Sequence, residues 1–417
     1  MKHKLMHLVI NAGLAVTSIV IVLVLAEIAL RLTPYKNMLP KMQLDPLRYY
    51  SHADPVKGYD IVKNAPPAPV SVEGLKYDLW SNELGCFDVP YGDERDSILV
   101  VGDSFTFAFA PFQDKWGTKI ENLLERRVLK CGVGGYGTKQ ELLKASEIVS
   151  GMKHKPKLII VGYFINDLED DYLFPASTVL NGYPVRTQYI KDMNTGEVVK
   201  RDAAALEEQM KYGVKEYPGG FFLGRAKWWI EQESIIFFLA KNSLRPMLLA
   251  TPVIGNMAAR TKVVLPPMMA FLDKPWIQNA WSVHLSHLKA FKTLATSSGS
   301  KLLIVIIPSR EQVNPHLTNW QGVDREKPQK ILRAFLEQEG IPHMDLLPLF
   351  VEYSGPPSRV PDTDRSLYWR NDPHFNRRGN QLLGLLASRY ILENDLLAVQ
   401  GKNDKMVSIR EQLDALR

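Results

Sequence analysis

Four short motifs carry side chains that together could cleave an ester, and each motif adjoins a different predicted element of the chain. A serine follows one apolar run, a glycine-rich stretch follows the next, an asparagine follows the third, and a histidine precedes the last helix. Serine becomes a nucleophile when an imidazole removes its proton, and histidine suits that task near neutral pH. The motifs are Gly102-Asp103-Ser104, residues 132–138, Asn166-Asp167 and residues 371–376.

Each motif has a predicted role in acyl transfer. Ser104 would attack the carbonyl, His374 would act as the base, and Asp372 would orient the ring. The tetrahedral intermediate needs hydrogen-bond donors aimed at its oxyanion. We expect the backbone N–H groups of Ser104 and Gly135 and the side-chain amide of Asn166 to be these donors. Glycine lets the backbone approach the substrate without a Cβ, and the amide donates without carrying charge.

Other side chains could do different chemistry, and for each we favour a structural role. His343 and Asp345 form a second histidine–acid pair, but they end a predicted strand, where packing and helix capping are expected. His284 and His287 lie three residues apart on a helix, but no third metal ligand is near them in sequence, which favours a solvated or capping role. The acidic run at 169–171 is expected to be a solvated loop.

Alternating strands and helices surround the motifs. Strands are predicted at 97–101, 127–131, 157–164, 301–307 and 341–345, and helices at 116–127, 138–148, 328–339 and 380–394. Alternation at these lengths predicts a parallel sheet with helices on both faces. Ligands of such sheets bind at the carboxyl ends of the strands, where Ser104 and Asn166 would lie.

The chain divides into predicted segments of different character. Residues 1–35 are a tail and membrane anchor, and the proline-rich residues 36–96 are a leader between the membrane and the main domain. Residues 97–400 form the α/β domain, and residues 401–417 a C-terminal tail. An insertion at 168–275 lacks the strand–helix alternation and is expected to be helical, either packing only or forming a lid over the strand ends.

The apolar segment near the N-terminus, at 8–30, is long enough to span a bilayer, which needs about 20 residues. Lysines precede it and basic residues follow it, so charge alone orients it poorly. The short N-terminal tail favours a cytoplasmic N-terminus with the main domain outside. A signal peptide cleaved near Ala26 is the alternative, and a buried core helix is the third.

Composition excludes some functions and leaves other questions open. The net charge is +6 over 417 residues, and no stripe of basic residues alternates with aromatic ones, which argues against nucleic acid as a partner. Cys86 and Cys131 make no metal-ligand pattern, and a disulfide or two buried thiols are both compatible with the sequence. Tyr368 and Trp369 would either stack on a sugar ring or pack internally.

The four motifs resemble, in order and in placement, the four blocks of the SGNH (GDSL-like) hydrolases, which centre on Ser, Gly, Asn and His. The resemblance covers about residues 81–397, apart from the insertion. It implies a flavodoxin-like three-layer αβα sandwich with a five-stranded parallel sheet, and acyl-ester chemistry without a metal or organic cofactor. Two positions depart from the pattern: Phe164 replaces a usual glycine, and Asn371 occupies the usual position of the acid.

The apolar segment and its end at 26–32 resemble the anchored bacterial branch of this family, which is similar to proteins that acetylate or deacetylate exopolysaccharides such as alginate. The placement of the acid at Asp372 looks like the arrangement in those proteins. This resemblance implies a single-pass protein of a bacterial inner membrane with a periplasmic or extracellular domain that acts on O-acyl, chiefly acetyl, groups of a carbohydrate. The alternatives are an O-acetyltransferase with a membrane acyl-carrier partner, a lipid esterase, and a non-catalytic scaffold for polysaccharide assembly.

Overall fold

The computed structural model describes residues 2–33, 51–73, 75–180, 183–202, 204, 206, 234–237, 239, 240, 273–317, 320, 323–355, 365–370 and 372–417. The chain falls into two compact units. One holds the N-terminal helix, residues 71–75 and the residues described near position 235. The other holds the sheet and the four motifs.

The strands and helices are as follows, in chain order. The strands are β1 (Ser51–Asp54), β2 (Gly58–Ile61), β3 (Ala68–Val72), β4 (Leu75–Leu79), β5 (Ile98–Gly102), β6 (Val128–Gly132), β7 (Leu158–Phe164), β8 (Ser177–Leu180), β9 (Tyr183–Arg186), β10 (Gln188–Asp192), β11 (Glu197–Lys200), β12 (Lys301–Ile307) and β13 (His343–Asp345). The helices are α1 (Lys2–Arg31), α2 (Ser104–Phe107), α3 (Trp116–Leu124), α4 (Thr138–Gly151), α5 (Asp167–Tyr172), α6 (Pro275–Ser298), α7 (Arg310–Val313), α8 (Lys327–Gln338), α9 (Leu347–Tyr353), α10 (Arg377–Glu393) and α11 (Lys402–Ala415).

Helix α1 is the N-terminal apolar segment. Among the described residues it is the one helix that is long and apolar enough to cross a membrane, over Gly13–Arg31, and a signal sequence would have the same character. Within this unit, the Glu27 carboxylate accepts hydrogen bonds from the backbone N–H groups of Ile235 and Ile236, at 3.0 and 3.1 Å. The side chain of Ile235 is buried against Leu30.

Five parallel strands form the central sheet, in the order β6–β5–β7–β12–β13. This is the strand order of flavodoxin-like sheets. All residues of β5 and β7 are buried, as expected for strands covered on both faces. The predicted α/β fold with a parallel sheet is therefore confirmed.

The helices beside the sheet form two groups. Helices α3, α10 and α11 pack on one another, and helices α4, α5 and α6 pack on one another. The segment predicted as a C-terminal tail is thus mostly helical and packed, because α11 buries Ile409 and Leu413.

Three glycines lie side by side where the central strands end. Gly102 pairs with Gly132 on β6 and with Gly162 on β7. A Cβ added at Gly132 would lie 2.2 Å from the backbone nitrogen of Phe107. The absence of a side chain there lets the short helix α2, which begins at Ser104, pack directly on the strand end.

Residues 51–61 were expected to belong to a leader, and the structure instead packs them on the α/β domain. Strands β1 and β2 form an antiparallel hairpin. Asp60 of this hairpin makes an ion pair of 2.6 Å with Lys144 of α4, and the Tyr59 and Tyr136 rings lie 5.3 Å apart, edge to face. The apolar residues of this segment gain burial from residues far away in sequence, so local composition does not reveal their packing.

The insertion differs from the helical expectation in its first part. Strands β8 and β9 pair antiparallel, and strands β10 and β11 pair antiparallel. Tyrosine, valine and isoleucine in these short strands favour extended structure. The aromatic part of the insertion, 221–249, which was interpreted as a packing element or a lid, lies largely outside the described residues.

Cys86 and Cys131 form a disulfide, so that both cysteines of the chain are paired. The bond joins the segment after β4 to the sheet strand β6. It closes a loop across a sequence separation of 45 residues. Of the two states that the sequence left open, the structure has the disulfide.

Candidate active site

Ser104 stands at the carboxyl end of β5, as the first residue of α2. Asp103 caps this helix, because its Oδ1 accepts a hydrogen bond of 2.8 Å from the N–H of Phe105. The cap fixes the turn between strand and helix, and the Ser104 side chain is left half-buried. The turn thus presents a hydroxyl at the edge of the sheet where ligands of this fold bind.

His374 and Asp372 lie on the loop before α10, and the structure brings both to Ser104. The Nε2 atom of His374 lies 2.8 Å from Ser104 Oγ, and its Nδ1 lies 2.5 Å from Asp372 Oδ1. The same carboxylate oxygen accepts the backbone N–H of His374 at 2.8 Å. This is the geometry of a nucleophile, a base and an orienting acid. Asn371 lies outside the described residues.

The Asp372 carboxyl is held in its ionised form. Burial raises its pKa, but hydrogen bonds from the His374 ring and N–H and the charge of Arg310 outweigh that effect and bring the pKa below its usual range. An ionised acid at Nδ1 keeps that nitrogen protonated and leaves Nε2 free to accept the serine proton. It also stabilises the imidazolium that forms when the proton has moved.

Asp103 is a further acid at the nucleophile, which the sequence reasoning treated only as part of the serine motif. Its Oδ2 lies 3.3 Å from Ser104 Oγ, and the whole residue is buried. Burial raises the pKa of Asp103 to about 6, against the opposing effects of the Phe105 N–H and the His374 charge. No spacing rule singles this residue out, because any residue before a helix-starting serine has the same position.

Two backbone N–H groups at the nucleophile, one on Ser104 and one on the glycine-rich loop, are candidate oxyanion donors. Among the described residues, no acceptor takes the N–H of Ser104 or the N–H of Gly135. Gly135 has φ +79°, a conformation that side chains resist. A Cβ on its neighbour Gly134 would lie 3.8 Å from the Cβ of Ser104, so the glycine-rich loop adjoins the nucleophile.

Asn166, the third predicted donor, lies between β7 and α5 at the same edge of the sheet. Its Nδ2 donates to Asp170 Oδ2 at 3.1 Å, and the Asn166 side chain also hydrogen-bonds to the buried carboxyl of Asp103. Asp170 is in turn paired with Arg186 of the β8–β9 hairpin. Asp170, which was expected in a solvated acidic loop, thus links the Asn166 amide to Arg186. This contact was not predicted, because the hairpin that supplies the arginine was not predicted.

Aromatic rings surround the imidazole of His374. The rings of Phe105 and Phe109 lie 5.0 and 4.6 Å from it, centre to centre. Phe164, which departs from the glycine of the family pattern, packs on Phe105 at 4.2 Å. These apolar neighbours restrict the motion of the base and exclude water from its flanks.

The competing histidines have structural contacts instead. Asp345 accepts the N–H of Leu347, the first residue of α9, at 3.0 Å, while His343 Nδ1 lies 3.0 Å from the carbonyl of Ile341. The predicted packing and capping roles fit these contacts. Neither His343 nor Asp345 hydrogen-bonds to the Ser104 side chain, whose partners among the described residues are His374 and Asp103.

The prediction that His284, His287 and the acidic run are solvated is wrong in part, because His284, Asp170 and Asp171 are buried, whereas Glu169 and His287 are half-buried. The Nδ1 atoms of His284 and His287 lie 2.7 and 2.8 Å from the same oxygen of Asp171. Asp171 and His284 are both buried. Within the part of the chain that the structure describes, no group of three or more acidic, histidine or cysteine side chains is arranged to hold a metal. Burial follows from helix α6, which covers this side of α5.

Tyr368 and Trp369 divide the two roles expected for them. Tyr368 is buried and donates its hydroxyl to the carbonyl of Pro308 at 2.9 Å, so it is a packing residue. Trp369 is half-buried, its N–H donates to the carbonyl of His374 at 3.0 Å, and its indole N–H donates to Phe109 at 3.3 Å. The accessible part of Trp369 leaves the stacking role as a prediction.

Comparisons with known proteins give fold-level likeness only. No family model and no curated protein matches this chain. Among solved structures it is similar to an acetylxylan esterase from Geobacillus stearothermophilus, at 12% identity over 71% of this chain and 94% of that one, with a TM-score of 0.35. It is also similar to the acetyl xylan esterase AlAXEase, at 11% identity over 72% and 98% of the two chains, with a TM-score of 0.33. A protein from Desulfitobacterium hafniense described as lipolytic and of the G-D-S-L family has 12% identity over 71% and 99%, with a TM-score of 0.33.

Proposed function

We propose that this protein is an SGNH-type serine esterase that removes O-acyl groups, chiefly acetyl, from a carbohydrate outside the cytoplasm. The observation that carries the proposal is the chain of contacts from Ser104 through His374 to Asp372, at 2.8 and 2.5 Å. Packing alone would not require a histidine and an ionised acid to be aligned with the hydroxyl of a half-buried serine. The same contacts argue against a non-catalytic scaffold.

The first half of the proposed reaction forms an acyl-enzyme. His374 Nε2 takes the proton of Ser104 while Oγ attacks the ester carbonyl, and Asp372 stabilises the resulting imidazolium. The negative charge on the carbonyl oxygen is met by the N–H groups of Ser104 and Gly135 and by the amide of Asn166. When the intermediate collapses, His374 returns the proton to the leaving sugar hydroxyl. The acyl group is then bound to Ser104 Oγ.

The second half releases the acyl group. Water attacks the acyl carbon while His374 takes its proton, and the serine leaves with that proton restored. An acceptor hydroxyl in place of water would make the protein an O-acetyltransferase. We propose hydrolysis, because water can resolve the acyl-enzyme without a second bound substrate, whereas transfer requires an acceptor glycan in the site.

The substrate class rests on the resemblance to exopolysaccharide-modifying proteins and on the accessible part of Trp369. Indole faces commonly bind apolar faces of sugar rings. The indole N–H of Trp369 donates to the carbonyl of Phe109 at 3.3 Å, and the ring of Phe109 lies 4.6 Å from the ring of His374. The indole is thus linked through Phe109 to the base, where the leaving sugar would depart. The resemblance supports acetyl as the acyl group.

An extracytoplasmic location is supported by two independent features. The apolar part of α1 has the length of a membrane anchor. The Cys86–Cys131 disulfide is typical of proteins in oxidising compartments. We propose a single-pass protein of a bacterial inner membrane with its C-terminus outside the cytoplasm. A C-terminal reporter that is active only in the cytoplasm should stay dark, and a bright reporter would overturn this topology.

The decisive experiment labels the full chain in detergent with a fluorophosphonate, which reacts with activated serines. The native chain should be labelled, whereas Ser104→Ala should not be and His374→Ala should be labelled very slowly. His343→Ala is the matched control and should react like the native chain. The same samples are then incubated with an acetylated xylose or mannuronate ester, with and without unacetylated glycan. Release of free acetate both with and without the glycan supports an esterase. Transfer of the acetyl group to the glycan would instead make the protein an O-acetyltransferase.

A further inference from the structure

The peptide group between Gly134 and Gly135 has a hydrogen bond on one side and a free donor on the other. Its carbonyl belongs to Gly134 and accepts the hydroxyl of Tyr59 at 2.6 Å. Its N–H belongs to Gly135 and has no acceptor among the described residues. In a trans peptide the C=O and N–H bonds point in opposite directions. Whatever holds the carbonyl therefore fixes the direction of the N–H.

Tyr59 is itself held in place from several directions. Its backbone carbonyl accepts the hydroxyl of Tyr136 at 2.6 Å, and the two rings meet edge to face. Its side chain is almost completely buried. Burial raises the pKa of the Tyr59 hydroxyl, so the group stays protonated and remains a donor. Two tyrosines thus link the N-terminal hairpin to the glycine-rich loop in both directions.

A peptide between two glycines needs such a link. Neither Gly134 nor Gly135 has a Cβ to restrict the rotation of the peptide plane, and Gly135 already adopts φ +79°. Rotation by half a turn would aim a carbonyl oxygen, rather than an N–H, at a developing negative charge. A Cβ on Gly135 would lie 2.9 Å from the Tyr59 hydroxyl, so glycine is also what allows the tyrosine to approach.

We infer that Tyr59 is a positioning residue for the candidate oxyanion hole: its hydroxyl holds the Gly134 carbonyl so that the Gly135 N–H faces the reacting carbonyl. This inference rests on the proposed function and assigns a role to a segment predicted to be a leader. The hydrogen bond also polarises the peptide and makes its N–H a stronger donor. Tyr59 touches no substrate and acts only through this peptide.

The test observes the peptide directly. The full chain in detergent is labelled with glycine that carries carbon-13 in the carbonyl and nitrogen-15 in the amide. A spectrum that correlates an amide with the preceding labelled carbonyl shows only Gly–Gly pairs, and the sequence has two, Gly134-Gly135 and Gly219-Gly220. Gly219→Ala removes the second signal and so assigns the first.

Tyr59→Phe keeps the ring and removes only the hydroxyl. We expect the Gly134 carbonyl signal to move upfield, as it does when a carbonyl loses a hydrogen bond, with the melting temperature nearly unchanged. Tyr172→Phe is the matched control, because the Tyr172 hydroxyl donates to another glycine carbonyl, that of Gly196, at 2.8 Å. It should leave the signal in place. An unmoved Gly134 signal in Tyr59→Phe would overturn the inference.

Kinetics on an activated acetyl ester test the consequence. Tyr59→Phe should lower kcat by about 10- to 100-fold, less than the loss of a complete oxyanion-hole donor, and change KM by no more than about twofold. Tyr172→Phe should keep the native kcat. A native kcat in Tyr59→Phe, or a loss confined to KM, would overturn the positioning role. If the native chain hydrolyses no ester, the proposed function fails, while the carbonyl signal still decides whether Tyr59 holds the peptide.

Discussion

The hydroxyl of Ser104 and the Nε2 atom of His374 lie 2.8 Å apart, although 270 residues separate them in sequence. The serine is fixed by the end of β5, and the histidine by a loop with its own supports. On that loop, Tyr368 and Phe375 form an antiparallel bridge, and Asn376 caps α10 by accepting the N–H of Gly379 at 2.9 Å. Both partners of the contact are therefore held by backbone structure.

The first prediction concerns Ser104 and His374 as one unit. Ser104→Ala and His374→Ala should each lower kcat/KM for an ester by about 10⁴-fold or more, and the double variant should be little worse than either. Neither residue can form the acyl-enzyme without the other, so the losses do not add. The measurement is kcat/KM on one activated acetyl ester.

His343→Ala serves as the control for this prediction, because His343 bonds to a backbone carbonyl and not to the serine. It should retain native kcat/KM. If His343→Ala were the inactive variant and His374→Ala the active one, the assignment of the base would be wrong, and Asp345 would become the orienting acid.

The second prediction concerns Asp372. Asp372→Asn should lower kcat by up to about 10⁴-fold, because an amide can favour the tautomer that carries its proton on Nε2. The native carboxylate has a lowered pKa, so its contribution is present at neutral pH and is lost only as the pH falls through that lowered value. Hydrolysis should therefore be compared for both proteins at neutral and mildly acidic pH. If the native chain and Asp372→Asn had equal kcat values at neutral pH, the His374 ring would need no ionised acid.

Much of the sheet could be predicted from the sequence, and so could the contacting residues Ser104, His374 and Asp372. Buried parallel strands are continuous apolar runs, such as 158–164, and their alternation with helices sets the topology. Function-bearing residues at strand ends then fall at one edge of the sheet. Ser104 and Asn166 could be placed in this way because their position depends on local elements alone.

The parts of the fold and of the site that were not predicted depend mostly on contacts between segments distant in sequence. Strand β1 has only four residues, which are mainly polar, and no periodic pattern marks it. Tyr59 is buried because residues of the loop after β6 cover it, which no local rule gives. The β8–β9 hairpin did have a local signal, since Asn181-Gly182 between two short β-rich runs is typical of a tight turn. Prediction of this hairpin would make Arg186 a candidate ion-pair partner of the acidic run at 169–171, with which it pairs in the structure.

The third prediction concerns Asn166. Asn166→Ala should lower kcat by about 10²- to 10³-fold, the usual loss for one oxyanion-hole donor, and leave KM much less changed. Asn166→Asp has the same shape but presents a carboxylate to the developing charge and to Asp170, so its kcat should be lower still. Steady-state kinetics and thermal melting of both variants provide the check. Native kcat in a folded Asn166→Ala would remove this side chain from the site.

The last prediction concerns Glu141, a buried acid on α4 that the proposed reaction does not use. Neither of its carboxyl oxygens has a hydrogen-bond partner among the described residues. Burial, together with the charges of Asp103, Asp171 and Asp170, raises its pKa well above the usual range. Replacement by methionine, an apolar side chain of similar size, should raise the free energy of unfolding at neutral pH by about 1–3 kcal/mol.

The sign of the pH dependence follows from the raised pKa. Between the unfolded and folded pKa values of Glu141, the folded chain holds a proton that the unfolded chain has released, so the free energy of unfolding falls as the pH rises. Glu141→Met removes this contribution, and its gain should be larger at pH 8 than at pH 5. Glu147→Met on the same helix is the control, because Lys57 lowers the pKa of Glu147 through an ion pair of 2.6 Å. That variant should lose stability at neutral pH. Chemical denaturation at both pH values measures these differences, and a loss of stability in Glu141→Met at both would mean that the carboxyl has a polar partner.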